Sequence, residues 1–283
     1  MHMLCRKTID RLCRRSSAIS ASTIPAQRRQ ARAYPACASI CPKTIRRRSR
    51  FRRRPAGSRK YWSRRGIAEW LVERLSEDAP TLVGIDHGFS FPLHYFNAHG
   101  LKPDWPAFLD DFQRHWPTDD DYACVDFVRK GVTGGAARSG GSRWRRLTEE
   151  RAGGAKSVFH FDVQGSVAKS THAGIPWLRF IRQRLGARVH FWPFDGWEIP
   201  AGRSAIAEVY PSLWRRSFAR EGRTSDQHDA FCIAAWLARA DRGGTLTGSL
   251  KPDLSRAERA VAQVEGWILG VPGLIRNLSE GTR

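Results

Sequence analysis

Residues 81–92 read Thr-Leu-Val-Gly-Ile-Asp-His-Gly-Phe-Ser-Phe-Pro, and this stretch decides the fold. Its apolar run, residues 82–85, predicts a strand buried on both faces, as in the middle of an α/β sheet. Asp86 follows at the carboxyl end of this strand, where open α/β sheets bind ligands, and Pro92 marks the departure of the chain. A buried carboxylate is costly unless it is paired or holds a metal. Asp86 is therefore either a site residue or the cap of the following turn.

The composition indicates a folded protein rather than a disordered one. The 283 residues are 41% hydrophobic, which is enough for the core of one large domain or two small ones. No apolar run approaches the roughly 20 residues that cross a bilayer, and the beginning of the chain lacks the apolar core of a secretory signal. The six cysteines show neither a disulfide framework nor a metal-ligand spacing. We expect a cytoplasmic protein with no membrane partner.

Positive charge is concentrated at the beginning of the chain. The formal net charge is +21, and residues 1–60 carry 18 of the 48 Lys and Arg residues against the single acidic residue Asp10. This segment shows no sustained helix or strand period, so it is a basic arm for nucleic acid, a targeting peptide, or a stretch translated out of frame. We divide the chain into this basic, disordered or out-of-frame segment at 1–60, a domain at 61–273 and a tail at 274–283.

The out-of-frame hypothesis has a specific form. With synonymous codons chosen freely, residues 22–26 can be encoded so that a shifted frame spells Asp-Tyr-Ser-Gly-Ala, a carboxylate-bearing strand end and a turn. The same shift, carried to Thr44, can give a second strand-like end, Leu-Arg-Val-Tyr-Met-Pro-Lys-Thr. The nucleotide sequence tests this hypothesis, which fails if the alternative frame encodes no such strand.

Beyond residue 60 the hydrophobic periods are regular enough to place elements. Helices are predicted at 67–75, 103–116, from Pro176 to 185, and at 227–242, and strands at 81–85, 157–163, 188–192, 204–209 and, as an edge strand, 265–271. A basic glycine-rich loop at 129–146 matches neither the P-loop nor the dinucleotide fingerprint. It is either a mobile loop that contacts a phosphate backbone or a solvated insertion.

Four carboxylates lie where packing does not require them. Asp86 ends the first strand, Glu208 lies near the end of strand 204–209, and Asp226 and Asp229 begin the next helix on one face. If the two strands are neighbours and the helix packs across their ends, the four carboxylates converge. Each also has a structural explanation, since Asp226 suits a helix N-cap and Asp229 suits a first turn. His228 is either a residue that tunes proton transfer or a surface histidine without a role.

Converging carboxylates repel one another unless a hard cation such as Mg²⁺ or Mn²⁺ lies between them. Two such ions can clamp the attacking and leaving oxygens of a phosphodiester displacement. As a set, Asp86, Glu208, Asp226 and Asp229 therefore predict a metal site for phosphodiester hydrolysis.

These residues resemble those of the family called domain of unknown function 429, which is predicted to contain nucleases of the ribonuclease H-like superfamily. The resemblance covers residues 59–273. Its segments are Val-Gly-Ile-Asp at 83–86 with Phe-Ser-Phe-Pro at 89–92, Gly-Ile-Pro at 174–176, Trp-Pro-Phe-Asp-Gly at 192–196, Glu-Val-Tyr-Pro at 208–211, Asp-Gln-His-Asp-Ala at 226–230 and Glu-Gly-Trp-Ile at 265–268.

The resemblance implies a mixed central sheet flanked by helices, with carboxylates that bind divalent metal. Asp86 would be the central-strand acid, Asp226 and Asp229 the pair on the closing helix, and Glu208 an additional acid of the family. The family's opening strand, with its own Asp, belongs within residues 1–60 and is missing or garbled there. We therefore expect the activity of this polypeptide to be lost or impaired.

Three function classes follow from the sequence. The first is a metal-dependent nuclease that acts on DNA or RNA. The alternative is a non-catalytic basic nucleic-acid binder that uses the segment at 1–60 and the loop at 129–146, with an affinity that falls steeply with salt. Phosphoryl transfer to a small molecule is the third, but no phosphate-binding glycine turn supports it. The sequence leaves the oligomeric state open.

Overall fold

A computed structural model of the chain describes the backbone of residues 37–40 and the residues 62–121, 123–133 and 137–273. The remainder of the basic segment at 1–60 and the tail at 274–283 lie outside the described residues. The predictions for them, including the shifted reading of residues 22–26, lie there too.

The described strands form one sheet whose central members deliver the predicted carboxylates. They are β1 (Cys37–Ile40), β2 (Leu82–Ile85), β3 (Val189–Trp192) and β4 (Ser204–Glu208). The order across the sheet is β1-β2-β4-β3, with β1 antiparallel to β2 and the other three parallel. Ile85 lies opposite Glu208 in the register, so Asp86 and Glu208 lie at the same edge. The prediction that these two strands are neighbours is confirmed.

Helices cover both faces of this sheet. The described helices are α1 (Arg64–Leu75), α2 (Leu93–Ala98), α3 (Trp105–His115), α4 (Val125–Arg129), α5 (Leu147–Arg151), α6 (Ala168–Leu185), α7 (Ser225–Arg242), α8 (Leu246–Leu250) and α9 (Arg256–Glu265). Successive strand residues point to opposite faces. Accordingly Ile206 packs into one core with residues of α1, α3 and α6, and Ala207 packs into a second core with residues of α7. The chain therefore has a mixed α/β architecture.

Gly84 allows α7 to approach the central strand closely. A Cβ atom on Gly84 would lie 2.8 Å from Val209 Cγ1 and 3.1 Å from Ile233 Cγ2 of α7, so a larger residue would push the helix away. The helix begins with a capping box in which the Thr224 hydroxyl accepts from the Gln227 amide and the Gln227 side chain accepts from Thr224. Thr224, rather than Asp226, is therefore the N-cap, and Asp226 is free for another role.

The predicted helix at 176–185 begins eight residues too late, because α6 starts at Ala168 and contains Pro176. A proline inside a helix leaves the carbonyl four residues earlier without its amide donor. Here the His172 carbonyl accepts instead from the Thr118 hydroxyl at 2.5 Å. That donor is distant in the sequence, so it offers no local signal.

Two predicted strands are wrong. Residues 157–163 form turns, in which the Ser157 hydroxyl accepts from the Phe159 amide and the apolar side chains enter the core. Residues 265–271 form no edge strand: α9 ends at Glu265, and a single bridge joins Ile268 to Glu208. Apolar runs of this length do not by themselves distinguish strands from buried turns.

None of the described helices is both long enough and apolar enough to cross a membrane.

Candidate active site

The predicted carboxylates lie near one another at the carboxyl ends of β2 and β4. Burial raises the pKa of Asp86 to about 7, and the charges of Asp229, Glu208 and Asp226 raise it further, while Arg215 lowers it. Charges act this strongly only over short distances. The chain therefore brings together residues that lie more than 100 positions apart, as the sequence predicts.

Asp86 faces a cavity of about 210 Å³ at this edge of the sheet. The cavity is also lined by His87, Glu208, Tyr210 and Lys156. Across the described ranges, no hydrogen-bond donor or cation pairs with the Asp86 carboxylate. An ionised carboxylate that is partly buried without a partner is unfavourable, which is why its pKa lies near neutrality.

Glu208 has a different environment, and its assignment as a metal ligand needs correction. Arg146 donates from Nη1 to Oε2 and from Nη2 to Oε1, both at 2.7 Å, and the Phe89 amide lies 3.3 Å from Oε2. The Arg146 side chain is 1% exposed and that of Glu208 is 5% exposed. Both oxygens of Glu208 are thus engaged by a buried guanidinium, and taking one of them for a cation would leave Arg146 partly unpaired.

Arg146 is the centre of a buried network that sequence reasoning missed. Its Nε donates to Glu149 at 2.9 Å, and its Nη1 also reaches the Glu265 carbonyl at 3.2 Å. Burial opposes the charge of Arg146, but Glu208 and Glu149 raise its pKa above the ordinary value. The Glu265 carboxylate holds the backbone nearby by accepting from the Leu93 and Leu147 amides, each at 2.7 Å.

The loop at 129–146 is anchored within the protein by most of its basic side chains. Arg129 pairs with Asp162, Arg138 pairs with Asp111, and Arg145 donates to main-chain carbonyls. Together with Arg146, these residues spend their charge on internal partners. The prediction of a mobile loop that contacts a phosphate backbone gains no support from them. A glutamate three residues after Arg146, at the start of α5, is the one local signal of the pairing.

Asp229 and Asp226 lie on the first turns of α7, and Asp229 is also paired. Arg215 donates to it from Nε to Oδ1 at 2.7 Å and from Nη2 to Oδ2 at 2.6 Å. This pair is nearer to water, since the side chains of Arg215 and Asp229 are 48% and 14% exposed. Asp226 is exposed and has no ion-pair partner among the described residues, and partial desolvation and the Asp229 charge raise its pKa.

Two histidines accompany the carboxylates and both have structural contacts. His87 Nδ1 donates to the Gly88 carbonyl at 2.8 Å, and burial lowers the pKa of His87 to about 4, so it is neutral at pH 7. The prediction that His228 lies on the surface is wrong: it is buried, and its Nε2 donates to the Arg215 carbonyl at 3.1 Å. His228 thereby fixes the backbone that carries Arg215.

As they stand, these side chains do not form a metal site. Within residues 62–121, 123–133 and 137–273, no three Asp, Glu, His or Cys side chains are arranged to hold a metal ion. The reason is visible in the pairing, because guanidinium groups already occupy the oxygens of Glu208 and Asp229. Asp86 and Asp226 keep their carboxylates unpaired.

Comparisons with protein-family models, with curated proteins and with solved structures find no match to this chain. The resemblance to the domain of unknown function 429 therefore remains a prediction that rests on the quoted motifs.

Proposed function

We propose that this protein is a metal-dependent nuclease of the ribonuclease H-like class, acting on the phosphodiester bonds of DNA or RNA in the cytoplasm. One observation carries the proposal. The sheet holds the unpaired carboxylate of Asp86 beside Asp229 and Asp226, at the edge of an open cavity. Nothing in the packing requires an unpaired carboxylate at this position, and its pKa of about 7 reflects the cost of keeping it there.

The described conformation does not fit a divalent cation, so no step is assigned to one. If Arg215 released Asp229, the carboxylates of Asp86, Asp226 and Asp229 would supply the oxygen ligands that Mg²⁺ and Mn²⁺ prefer. Such ions activate water and neutralise charge that develops on a phosphoryl group. Glu208 leaves the predicted ligand set, and its role is to hold Arg146 and the end of β4 in place.

Protons link Asp86 to cation binding. At pH 7 about half of the Asp86 carboxyl groups are protonated, given a pKa of about 7. A cation binds the ionised form, so its binding releases this proton and strengthens as the pH rises. The predicted impairment through a missing first-strand aspartate concerns residues outside the described ranges and remains a prediction.

Cleavage assays on labelled single- and double-stranded DNA and RNA test the proposal. With Mg²⁺ or Mn²⁺ present, we expect cleavage that falls about 100-fold or more in Asp86→Asn, since it would lose a carboxylate at the reacting centre. Asp241→Asn is the matched control, because this exposed aspartate lies at the far end of α7, and it should retain activity.

The alternative, a non-catalytic binder, gives the opposite pattern. Its nucleic-acid affinity would survive EDTA, fall steeply with salt and be unchanged in Asp86→Asn. That result, together with no cleavage by the unmodified protein in either metal, would reject the nuclease proposal.

A further inference from the structure

Arg215 presents a half-exposed guanidinium on a rigid piece of backbone. Its carbonyl accepts from His228, and the preceding Trp214 stacks on Trp236 of α7 with ring centroids 3.9 Å apart. The side chain itself is 48% exposed, although it forms two short hydrogen bonds with Asp229. The backbone is thus fixed while the charged end can leave its partner for water.

The other guanidinium of the site cannot do this. Arg146 is 1% exposed and donates to two carboxylates and a carbonyl, so its departure would leave several buried groups unpaired. An ion pair that is open to solvent, by contrast, contributes little net free energy and exchanges readily. The two arginines therefore differ in whether another cation can displace them.

We infer that Arg215 is an exchangeable counterion of the candidate site, an inference that rests on the proposed function. In the free protein its guanidinium neutralises Asp229. When a divalent cation takes the carboxylates of Asp86 and Asp229, Arg215 is released and binds a phosphate of the nucleic acid. A planar guanidinium suits this exchange, because carboxylate and phosphate oxygens both match its paired donors.

Charge favours the exchange in both states. Asp86, Asp226 and Asp229 lie close enough to influence one another, and Arg215 is the cation that lowers the pKa of Asp86. A bound divalent cation would supply that positive charge in place of Arg215. Two positive groups near the same carboxylates would repel each other, so the guanidinium would turn toward an incoming anion.

Manganese binding, followed by electron paramagnetic resonance on the full chain, tests the first half of the inference. We expect Arg215→Gln to bind Mn²⁺ about tenfold more tightly, since the competing cation is gone. Arg216→Gln is the matched control: it removes the same charge from the next residue, which is exposed, and should change the affinity by no more than about twofold. Arg215→Lys should lie between Arg215→Gln and the unmodified protein, because it keeps the charge without the paired donors.

Binding of a short single-stranded DNA tests the second half. In Ca²⁺, Arg215→Gln should bind this DNA about tenfold more weakly than the unmodified protein does, and in EDTA the two should bind alike. Equal or weaker Mn²⁺ binding by Arg215→Gln, in a protein that does bind Mn²⁺, would overturn the inference, as would an unchanged DNA affinity in Ca²⁺. Failure of both Arg215→Gln and the unmodified protein to bind Mn²⁺ would instead overturn the proposed function itself.

Discussion

Two carboxylates leave neighbouring parallel strands at the same edge of the sheet, yet their surroundings differ. Glu208 is enclosed with Arg146, and both of its oxygens are paired. Asp86, one register position further on, has no partner among the described residues and has a pKa of about 7. The difference divides the site into a half that holds the fold together and a half whose electrostatic cost has no structural return. A function is expected in the second half.

Removing Arg146 should have the largest effect on stability. Arg146→Met would leave Glu208 and Glu149 buried without their cation, and we expect a loss of about 3–5 kcal/mol in the free energy of unfolding. Urea denaturation measures it. Arg145→Met is the control, because Arg145 is exposed and contacts main-chain carbonyls only. A loss below about 1 kcal/mol for Arg146→Met would contradict the division of the site, since the pair would then carry little of the fold.

The reactive half was more legible in the sequence than the structural half. Asp86, Glu208 and the pair on α7 could be located because a strong apolar period places each strand end and helix start. Convergence of β2 and β4 followed from parallel strands ending at one edge. The Arg146 pairing joins residues 62 positions apart through a loop with no period, so no local pattern predicts it.

The misplaced elements have similar causes. The start of α6 depends on the Thr118 hydroxyl, which satisfies a carbonyl that Pro176 cannot. The predicted strand at 157–163 depends on apolar residues whose side chains are buried by aromatic neighbours rather than by strand pairing. In both cases a long-range contact overrides a local preference.

Gly174 offers a smaller perturbation beside Asp86. A Cβ atom there would lie 2.4 Å from His87 Nε2, and the ring is held by its bond to Gly88. We expect Gly174→Ala to lower the free energy of unfolding by about 1–3 kcal/mol through overpacking and to shift His87 against Asp86.

Gly248→Ala is the matched control for thermal unfolding. It also lies in a helix, has open space around it and should be neutral or slightly stabilising, by up to about 1 kcal/mol. Equal stability of the two variants would show that His87 can move freely, and the close packing beside Asp86 would then be unimportant.

Asp86 itself should carry the smallest effect on stability, and its sign depends on pH. Its folded-state pKa of about 7 lies above the value of 3.8 for an unperturbed Asp, so between these values the folded protein holds a proton that the unfolded chain has lost. The stability contributed by Asp86 is therefore present below pH 4 and lost as the pH rises through 7. His87 and His172, whose pKa values are lowered to about 4 and about 3, act in the opposite direction below pH 6.5.

A comparison with Asp86→Asn separates Asp86 from these histidines, because both proteins contain them. We expect the variant to gain stability relative to the unmodified protein as the pH rises from 5 to 8, by about 1–2 kcal/mol, measured by urea unfolding at each pH. The exposed Asp241→Asn should show no such trend. A difference that stays constant with pH would mean that Asp86 ionises normally and is paired in solution. The contrast with Glu208 would then disappear, because both strand ends would carry ordinary neutralised carboxylates.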